Sequence, residues 1–556
     1  MDSTVVLTGI LPAVMLTSAG LTAVVSIFLL WLYRKAVLRS MRATTGSIDI
    51  GIPSNEAATR STGNAPDLTI ATIEVKRLPD KSLAAAAAFR QATQSLRRST
   101  LIYAVGGLLY ALVFAFAWIA VSKGGFIPVR FFWLLTCYSW PVVLTIGLLL
   151  AISRRQWFTL VGVYVVALML IAALALTRNP DLSMGQLAFF WAYANGPATV
   201  LLFTFLNRRV RAVGPLVLVF MVAGVTGAVL AIQVVGSNDG LLRAVVALGS
   251  AIGLGATVLY LLLHLVGFMV LGFLGWFLLR WIGWRYQLKR FSDQSLTMDA
   301  MWLLFGILQS ITLVFEGWIW IFSGIVAFAI YRLAVRIGFA RLARQSGDDS
   351  EPHSLLLLRV FSLGKRSEKL FNMLVKLWLR VGNLSLIAGP DLVTTTVEPH
   401  EFLAFLGNRL SRQFVKGDED LQSRLSRIDR KPDPDGRHRV NEFFCYTDTW
   451  QSTMTQLAAQ SNVVLMDLRS FSASNQGCLY ELQQLLGCVP LERILLVIDK
   501  TTDQVFLKKT LHRLWENVDA TSPNLRATSP KVRLYEVTSQ SAAEIRNLLI
   551  LLLGAR

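Results

Sequence analysis

Long apolar runs dominate the first 340 residues of the chain. An apolar run of about 18 residues or more is long enough to cross a bilayer as a helix. The pattern predicts nine membrane spans, and the segment around the first of them is expected to be a retained anchor (residues 1–35). The predicted spans cover residues 5–33, 101–121, 131–152, 157–176, 187–206, 215–235, 241–279, 298–315 and 317–335.

The stretch 241–279 is too long for one simple crossing, because a helix rises 1.5 Å per residue. We therefore expect an interfacial or re-entrant piece, followed by a true span that begins near Thr257. Basic residues concentrate in alternate loops, at 154–155, 207–211, 280–290 and 332–344. With nine crossings, the positive-inside rule places the N-terminus outside and the last part of the chain in the cytoplasm, in a multi-pass protein of the cell (inner) membrane.

The chain changes character after a linker at 341–354. Residues 355–556 alternate short apolar runs, rich in Leu, Val and Ile, with amphipathic stretches. Strands that lack a polar face are buried on both sides, so we expect a three-layer α/β domain with a mostly parallel sheet. The predicted strands are 355–361, 384–388, 442–446, 463–468, 494–498 and 532–537, and the predicted helices are 367–380, 399–413, 449–460, 478–486, 503–517 and 541–553.

A polar insertion at 36–99 separates the first span from the helical membrane region at 100–340. Its first part reads as a flexible linker, the segment DLTIATIEV predicts a short strand, and residues 82–98 predict a helix that leads into the second span. We expect the insertion to be cytoplasmic.

Composition supports a membrane protein. The chain is 54% hydrophobic and only 16% charged, and its mean hydropathy is +0.52. The net charge of +19 fits basic loops that flank membrane spans, so we do not expect nucleic acid as a partner. The four cysteines show no metal-ligand spacing, and no metal site is predicted.

Four acidic residues lie at or just after the ends of predicted strands: Asp391, Asp448, Asp467 and Asp499. In a parallel sheet the carboxyl ends of the strands share one edge, where ligands bind in this class of domain. Each of these residues could instead cap the next helix or sit in a turn, and Asp448 before Thr449 fits a cap well. Asp467 fits a cap less well, because a long polar loop follows it.

That loop leads into the segment around which the domain is organised, VVLMDLRSFSASNQGCLYEL at 463–482. Small polar side chains, Ser472, Ser474 and Asn475, precede a helix that carries Glu481. One interpretation is that Glu481 is an acid near a helix start, which the helix dipole favours. The other is that Glu481 is a carboxylate at the rim of the ligand edge.

The same segment resembles the cysteine–glutamate motif of Toll/interleukin-1 receptor (TIR) domains, on Ser472, Cys478, Glu481 and Leu482. The stretch LLLLRVFSLGKRSEKLFNMLVKLWLRVG is similar to the first strand, polar loop and first helix of that family, with Phe361 at the strand end. The resemblance implies a TIR-like or flavodoxin-like fold. Enzymatic members of the family cleave the bond between nicotinamide and ribose in NAD.

The resemblance also implies roles for residues. Glu481 would be the catalytic acid, supporting an oxocarbenium-like sugar. Ser472, Phe361 and Arg366 would line the pocket, and Arg366 would meet the pyrophosphate. Arg366 could equally be a solvated loop charge. The segment from Val463 is similar, too, to the phospho-acceptor strand of receiver domains, but that chemistry needs an acid pair after the first strand, which is missing here.

Three functions follow as hypotheses. The first is a membrane protein with a cytoplasmic TIR-like module that binds a nucleotide or a partner and serves sensing or signalling. The second is a membrane-tethered NAD glycohydrolase that uses Glu481, and the third is a transporter. The expected partners are the lipid bilayer, NAD or another nucleotide as ligand, and a second copy of the chain through either region. Besides Glu481, the predicted site residues are Phe361, Arg366, Asp391, Asp448, Asp467, Ser472 and Asn475.

Overall fold

The computed structural model describes most of the chain. The described residues are 3–42, 67–73, 83–122, 125–150, 154–179, 181–205, 213–314, 316–345, 352–359, 365–389, 397, 399–538 and 541–555. They form two compact units, one of residues 1–32, 98–346 and 397–403, and one of residues 33–97, 347–396 and 404–556.

The first unit is helical, in agreement with the apolar pattern. Seven helical stretches of the described residues are long and apolar enough to cross a membrane, and one of them, Pro128–Leu150, contains two consecutive helices. The helices up to residue 345 are α1 (Ser3–Arg42), α2 (Leu83–Val121), α3 (Pro128–Tyr138), α4 (Trp140–Leu149), α5 (Arg154–Arg178), α6 (Met184–Phe205), α7 (Gly214–Gly236), α8 (Asp239–Ala251), α9 (Ala256–Gln287), α10 (Asp293–Val314) and α11 (Ser323–Gln345), with a 3₁₀ turn at Trp318–Phe322. Helices α6 and α11, which overlap the predicted spans 187–206 and 317–335, are not among the seven.

The long stretch 241–279 is broken where the sequence required a break. Helix α8 ends at Ala251, and α9 begins at Ala256 and continues to Gln287. Helices α7 and α9 pack backbone to backbone, since a Cβ added at Gly267 would lie 2.3 Å from the carbonyl oxygen of Gly227. Small residues permit such close approach in membrane helices.

Polar side chains join the helices of this unit. The hydroxyl of Tyr110 on α2 donates to Gln309 Oε1 on α10 at 2.7 Å, and Gln309 Nε2 donates to Asn195 Oδ1 on α6 at 2.9 Å. His264, which the sequence places deep in a span, bonds only locally, with Nδ1 3.0 Å from the carbonyl oxygen of Tyr260 one turn back. Interhelical hydrogen bonds such as those of Gln309 stabilise helix packing in membranes.

The second unit is built on one parallel sheet. All described strand pairs are parallel, and the order across the sheet is β1-β8-β7-β6-β2-β3-β5-β4. The strands are β1 (Thr69–Ile73), β2 (His353–Arg359), β3 (Gly382–Ile387), β4 (Phe414–Val415), β5 (Val440–Cys445), β6 (Val463–Asp467), β7 (Ile494–Ile498) and β8 (Lys531–Glu536). The six strands predicted within 355–556 are therefore confirmed, and β4 joins them at one edge.

Helices follow most of these strands along the chain. They are α12 (Lys365–Trp378), α13 (Pro399–Leu406), α14 (Asp418–Ser426), α15 (Trp450–Gln460), α16 (Gln476–Cys488), α17 (Gln504–Glu516) and α18 (Ala542–Leu553), with 3₁₀ turns at Leu410–Arg412, Leu491–Arg493 and Pro523–Arg526. Successive residues of β2 enter different apolar clusters, because side chains alternate along a strand. Leu357 packs in a cluster with Leu374 of α12, whereas Leu358 packs in a cluster with Leu482 of α16.

The strand predicted within the insertion is present and completes the sheet. β1 pairs with β8 from Thr69↔Lys531 to Ile73↔Tyr535. The start of α2 also belongs to this unit, with Ala85 buried in the same apolar cluster as Leu374 and with the Arg546 guanidinium 5.4 Å from the ring centre of Phe89. About 280 residues of other sequence thus separate β1 from β2, the next strand along the chain.

The strand order creates one point of reversal. From β2 the chain proceeds to β3 and β5 on one side, and then returns to β6 on the other side of β2. Across the sheet the six strands other than β1 and β4 lie in the order β5-β3-β2-β6-β7-β8. Numbered afresh along the chain from β2, these six strands have the order 3-2-1-4-5-6. Without β5, the remaining five have the flavodoxin-like order 2-1-3-4-5. Ligands of doubly wound sheets bind beyond the carboxyl ends of the strands at this topological switch point.

Candidate functional site

Five side chains gather at the carboxyl ends of β2 and β6, and we refer to them as the switch-point cluster. Arg359 is the last residue of β2, and its register partner on β6 is Asp467. Arg469 follows β6 after one residue, and α16 supplies the remaining two. The cluster consists of Arg359, Asp467, Arg469, Cys478 and Glu481, all of them buried.

Asp467 is engaged by a neighbouring guanidinium. Arg469 Nε donates to Asp467 Oδ1 at 2.7 Å, and Arg469 Nη2 donates to Oδ2 at 2.6 Å. This two-pronged geometry is the strongest form of an arginine–carboxylate pair. The carboxylate that the sequence presented as an open ligand at the strand end is therefore already neutralised within the protein.

Glu481 is in a different situation. Its side chain is 3% exposed, and its Oε2 has no hydrogen-bond partner. Burial raises the pKa of Glu481 to about 8, although the positive charge of Arg359 acts in the opposite direction. At pH 7 the side chain is therefore mostly a neutral carboxylic acid, since removing a carboxylate from water without full compensation disfavours the charged form.

Cys478 lies on the same helix, one turn before Glu481. Burial, followed by the negative charges of Glu481 and Asp467, holds the pKa of its thiol well above the usual range. A thiol that stays protonated is a weak nucleophile and a weak metal ligand. Cys478 therefore fills space in the cluster. Glu481 and Asp467 both lie close enough to Cys478 to raise the pKa of its thiol.

The loops after β6 and β7 form a polar rim. The hydroxyls of Ser470 and Thr501 are 2.8 Å apart, and Thr502 Oγ1 donates to the carbonyl oxygen of Leu468 at 3.0 Å. Ser470 has a positive φ of 60°, a conformation that is uncommon for residues other than glycine. These bonds fix the two loops against each other at the carboxyl edge.

Ser472 and Asn475 lie in this rim and bond each other. The Ser472 backbone N–H donates to Asn475 Oδ1 at 2.9 Å, and the hydroxyls of Ser472 and Ser474 are 2.9 Å apart. Such a local turn shapes the start of α16, where Asn475 is the N-cap residue. The two side chains belong to the rim of the site, on the same segment as the buried cluster.

The other predicted site residues are placed differently. Asp448 follows β5. In the sheet β5 is the third strand from β6, so the two strands are about 14 Å apart at the usual strand spacing. The residue that caps α15 is Thr449, and Asp448 precedes it. Arg366 lies in the first turn of α12, but its side chain is outside the described part of the structure, as are Phe361 and Asp391 altogether. Asp499 accepts from the Thr501 N–H at 2.9 Å in a turn after β7.

Three members of the cluster were not predicted as site residues: Cys478, which the sequence offered only as a position of the TIR-like motif, and the two arginines. Arg359 stands inside the apolar run LLLLRVF, and Arg469 stands directly after the apolar run that ends in Leu468. A charged residue within an otherwise buried strand requires a partner, so this was the signal available in the sequence.

Among the described residues, part of the cluster lines a small cavity. Arg359 and Asp467 line a small cavity together with Leu357, Leu370, Phe371 and Leu374. Its volume is ≈ 10 Å³, which is room for about one water molecule. Among the described residues, no three His, Cys, Asp or Glu side chains are arranged to hold a metal ion. The cluster therefore has two parts. Arg359 and Asp467 line the cavity with residues of α12, on the face of the sheet that carries Leu357, whereas Cys478 and Glu481 lie on α16, and Cys478 packs in the apolar cluster of the other face. No known family model, curated protein or solved structure matches this chain.

Proposed function

We propose that this protein is a multi-pass membrane sensor whose sheet-bearing unit binds a nucleotide at the switch point between β2 and β6. The observation that carries the proposal is the position of the switch-point cluster. Buried charged groups are costly, and they concentrate where a ligand or a reaction requires them. Here they occupy the position at which doubly wound sheets bind ligands.

The small cavity among the described residues of the cluster favours sensing over constant occupancy. A cavity of ≈ 10 Å³ does not hold a nucleotide, so the described side chains that line it must move before a ligand enters it. A ligand that binds only the opened arrangement shifts the population towards it, and the size of the shift equals the difference in its affinity for the two arrangements. That is the behaviour of a module that signals ligand concentration.

The wider arrangement is part of the same proposal. The chain crosses the cell (inner) membrane nine times, with the N-terminus outside and the sheet-bearing unit, a three-layer TIR-like domain, in the cytoplasm. The charge distribution of the loops supports this topology. The bilayer is one partner, and a second copy of the chain, bound through the helices or through the sheet-bearing unit, is another.

The test uses the full-length protein in detergent micelles, because β1 and the start of α2 belong to the sheet-bearing unit and a C-terminal fragment lacks them. Thermal unfolding is followed with NAD, ATP, AMP and adenosine. A nucleotide at 100 times its Kd should stabilise the protein by about 2.7 kcal/mol. Arg359→Lys should weaken this stabilisation, because lysine lacks the planar fork of arginine.

Arg513→Lys is the matched control, since Arg513 is exposed on α17. The proposal fails if none of these compounds changes the unfolding temperature. It also fails if the two arginine variants respond identically to the nucleotide.

A membrane-tethered NAD glycohydrolase is the alternative, and one observation favours it. A buried acid with a pKa of about 8 is suited to proton transfer near neutral pH. In this case the protein would release nicotinamide from NAD, and Glu481→Gln would abolish the release without abolishing NAD binding. If NAD binds and no nicotinamide is released, the glycohydrolase hypothesis fails and the sensor hypothesis remains.

A further inference from the structure

Helix α11 changes from apolar to basic along its exposed face. The first part of this face carries exposed apolar side chains, which are Val326, Ile330, Leu333 and Ile337. The last part carries exposed arginines, which are Arg336, Arg341 and Arg344. Arg336 stands at the boundary, beside Ile337, and its long apolar stem lets the guanidinium extend towards the basic end.

Helix α2 packs against α11 and runs in the opposite direction. A Cβ added at Gly338 would lie 2.6 Å from Ile102 Cγ2, and one added at Gly106 would lie 2.9 Å from Val335 Cγ2. Residue numbers therefore rise along one helix as they fall along the other. Since α2 is among the stretches that are long and apolar enough to cross a membrane, α11 lies alongside a membrane-crossing helix.

Helix α2 becomes basic at the same level as α11. Its exposed side chains are apolar from Leu101 onwards, and Arg98, one turn before Leu101, is exposed. At 1.5 Å per residue, Arg98 lies about 6 Å beyond Ile102 along the axis, and Arg341 lies about 4.5 Å beyond Gly338. The change at one level on two helices marks where the acyl chains of a bilayer end, because charged side chains are costly in hydrocarbon.

The exposed arginines at this level, which we call the arginine band, are Arg98, Arg336, Arg341 and Arg344. None of them forms a hydrogen bond or an ion pair with another residue in the described part of the chain. By contrast, Arg332, one turn nearer the apolar part of α11, lies with Nη1 3.5 Å from Asp299 Oδ2 on α10.

Acidic residues near the arginine band do not neutralise it. Helices α2 and α11 contain no acid, and along the chain acids return only at Asp348, beyond the end of α11. Helix α10 contains two acids, Asp299 and Asp293. Asp299 pairs with Arg332, and Asp293 forms no ion pair with the arginine band.

The ligand of the arginine band must carry an anionic group and an apolar group. Guanidinium groups match the geometry of phosphate oxygens, and the face that continues from the band is apolar. We propose that the arginine band binds the phosphate headgroups of anionic lipids, whose acyl chains lie along the exposed apolar side chains of α2 and α11. This surface is separate from the nucleotide site and does not depend on it.

The experiment uses the full-length protein in micelles, with phosphatidylglycerol or phosphatidylcholine of identical acyl chains. The two headgroups share the phosphate, but choline adds a positive charge that cancels it. Native mass spectrometry measures the affinity for each lipid. The wild type should bind phosphatidylglycerol more tightly than phosphatidylcholine.

The triple variant Arg336→Gln/Arg341→Gln/Arg344→Gln should lose this preference. Its affinity for phosphatidylglycerol should fall about fivefold for each arginine removed, on the order of 100-fold in all, with no change for phosphatidylcholine. Its unfolding temperature in phosphatidylcholine should equal that of the wild type, because these arginines have no partner among the described residues.

The matched control is Lys508→Gln/Lys509→Gln/Arg513→Gln, which removes the same charge from exposed positions of α17. It should keep the wild-type preference. The inference is overturned if the wild type binds both lipids equally, or if the variant of α11 keeps the preference. It is also overturned if the two triple variants lose affinity equally, or if the variant of α11 is less stable in phosphatidylcholine, which would mean a structural role.

Discussion

Arg469 donates hydrogen bonds to both carboxylate oxygens of Asp467, two residues earlier in the chain, and both side chains are buried. The two hydrogen bonds measure 2.7 and 2.6 Å, and the side chains are 0% and 3% exposed. The pair sits at the end of β6, where the strand order reverses. It holds the loop after β6 in a conformation that brings Ser470 to the loop after β7.

Removing one partner of this pair should be costly. Arg469→Met leaves a buried carboxylate without its counter-charge, and we expect a loss of about 3–5 kcal/mol in the free energy of unfolding. The double variant Asp467→Asn/Arg469→Met should recover part of that loss, because neither charge remains. Chemical unfolding in micelles measures the free energy of unfolding of both variants. Arg513→Met, at an exposed position of α17, is the control and should change this free energy by less than about 0.5 kcal/mol.

Glu481 should make stability depend on pH. Its pKa is about 8 in the folded protein and near 4.5 when exposed, so the folded state binds the proton more tightly. The contribution of this group is fully present below pH 4.5 and is lost as the pH rises towards 8, at roughly 1.4 kcal/mol per pH unit. The difference in unfolding free energy between wild type and Glu481→Gln should follow this course. A difference that is constant from pH 5 to 9 would contradict the assignment.

Leu68 tests whether the insertion is part of the domain. It is 6% exposed and packs in the apolar cluster that contains Leu534 of β8. Leu68→Ala should lower the free energy of unfolding of the sheet-bearing unit by about 2–4 kcal/mol. Its neighbour Thr69 is exposed, and Thr69→Ala should have little effect. Equal, small effects of the two changes would mean that this segment is not held by the sheet.

Gly267 tests the contact of α7 and α9. An added Cβ would meet the carbonyl oxygen of Gly227 at 2.3 Å, and that oxygen cannot move without moving the helix. We expect Gly267→Ala to cost about 1–3 kcal/mol in detergent unfolding, as overpacking does. Gly162→Ala on α5 is the control, because nothing lies within 4 Å of a Cβ there. Its stability should equal or slightly exceed that of the wild type, because alanine has the higher helix propensity.

The sequence by itself determined the helical membrane character, the six strands between 355 and 556 and the break before α9. Each of these follows from a local signal, such as the length of an apolar run, a β-branched run between polar turns, or a stretch too long for one crossing. The placement of Asp467 at the carboxyl edge of the sheet also followed, because parallel strands share their carboxyl ends.

Only the tertiary structure decided what these groups do there. The sequence shows Asp467 and Arg469 as neighbours but does not show that they form a buried pair, and it gives no sign that Glu481 is neutral. It also does not reveal that β1 pairs with β8, because pairing between strands hundreds of residues apart depends on which edge is left open when the sheet is assembled. Ion pairing, pKa values and edge pairing depend on burial and distance, and both exist only once the chain has folded.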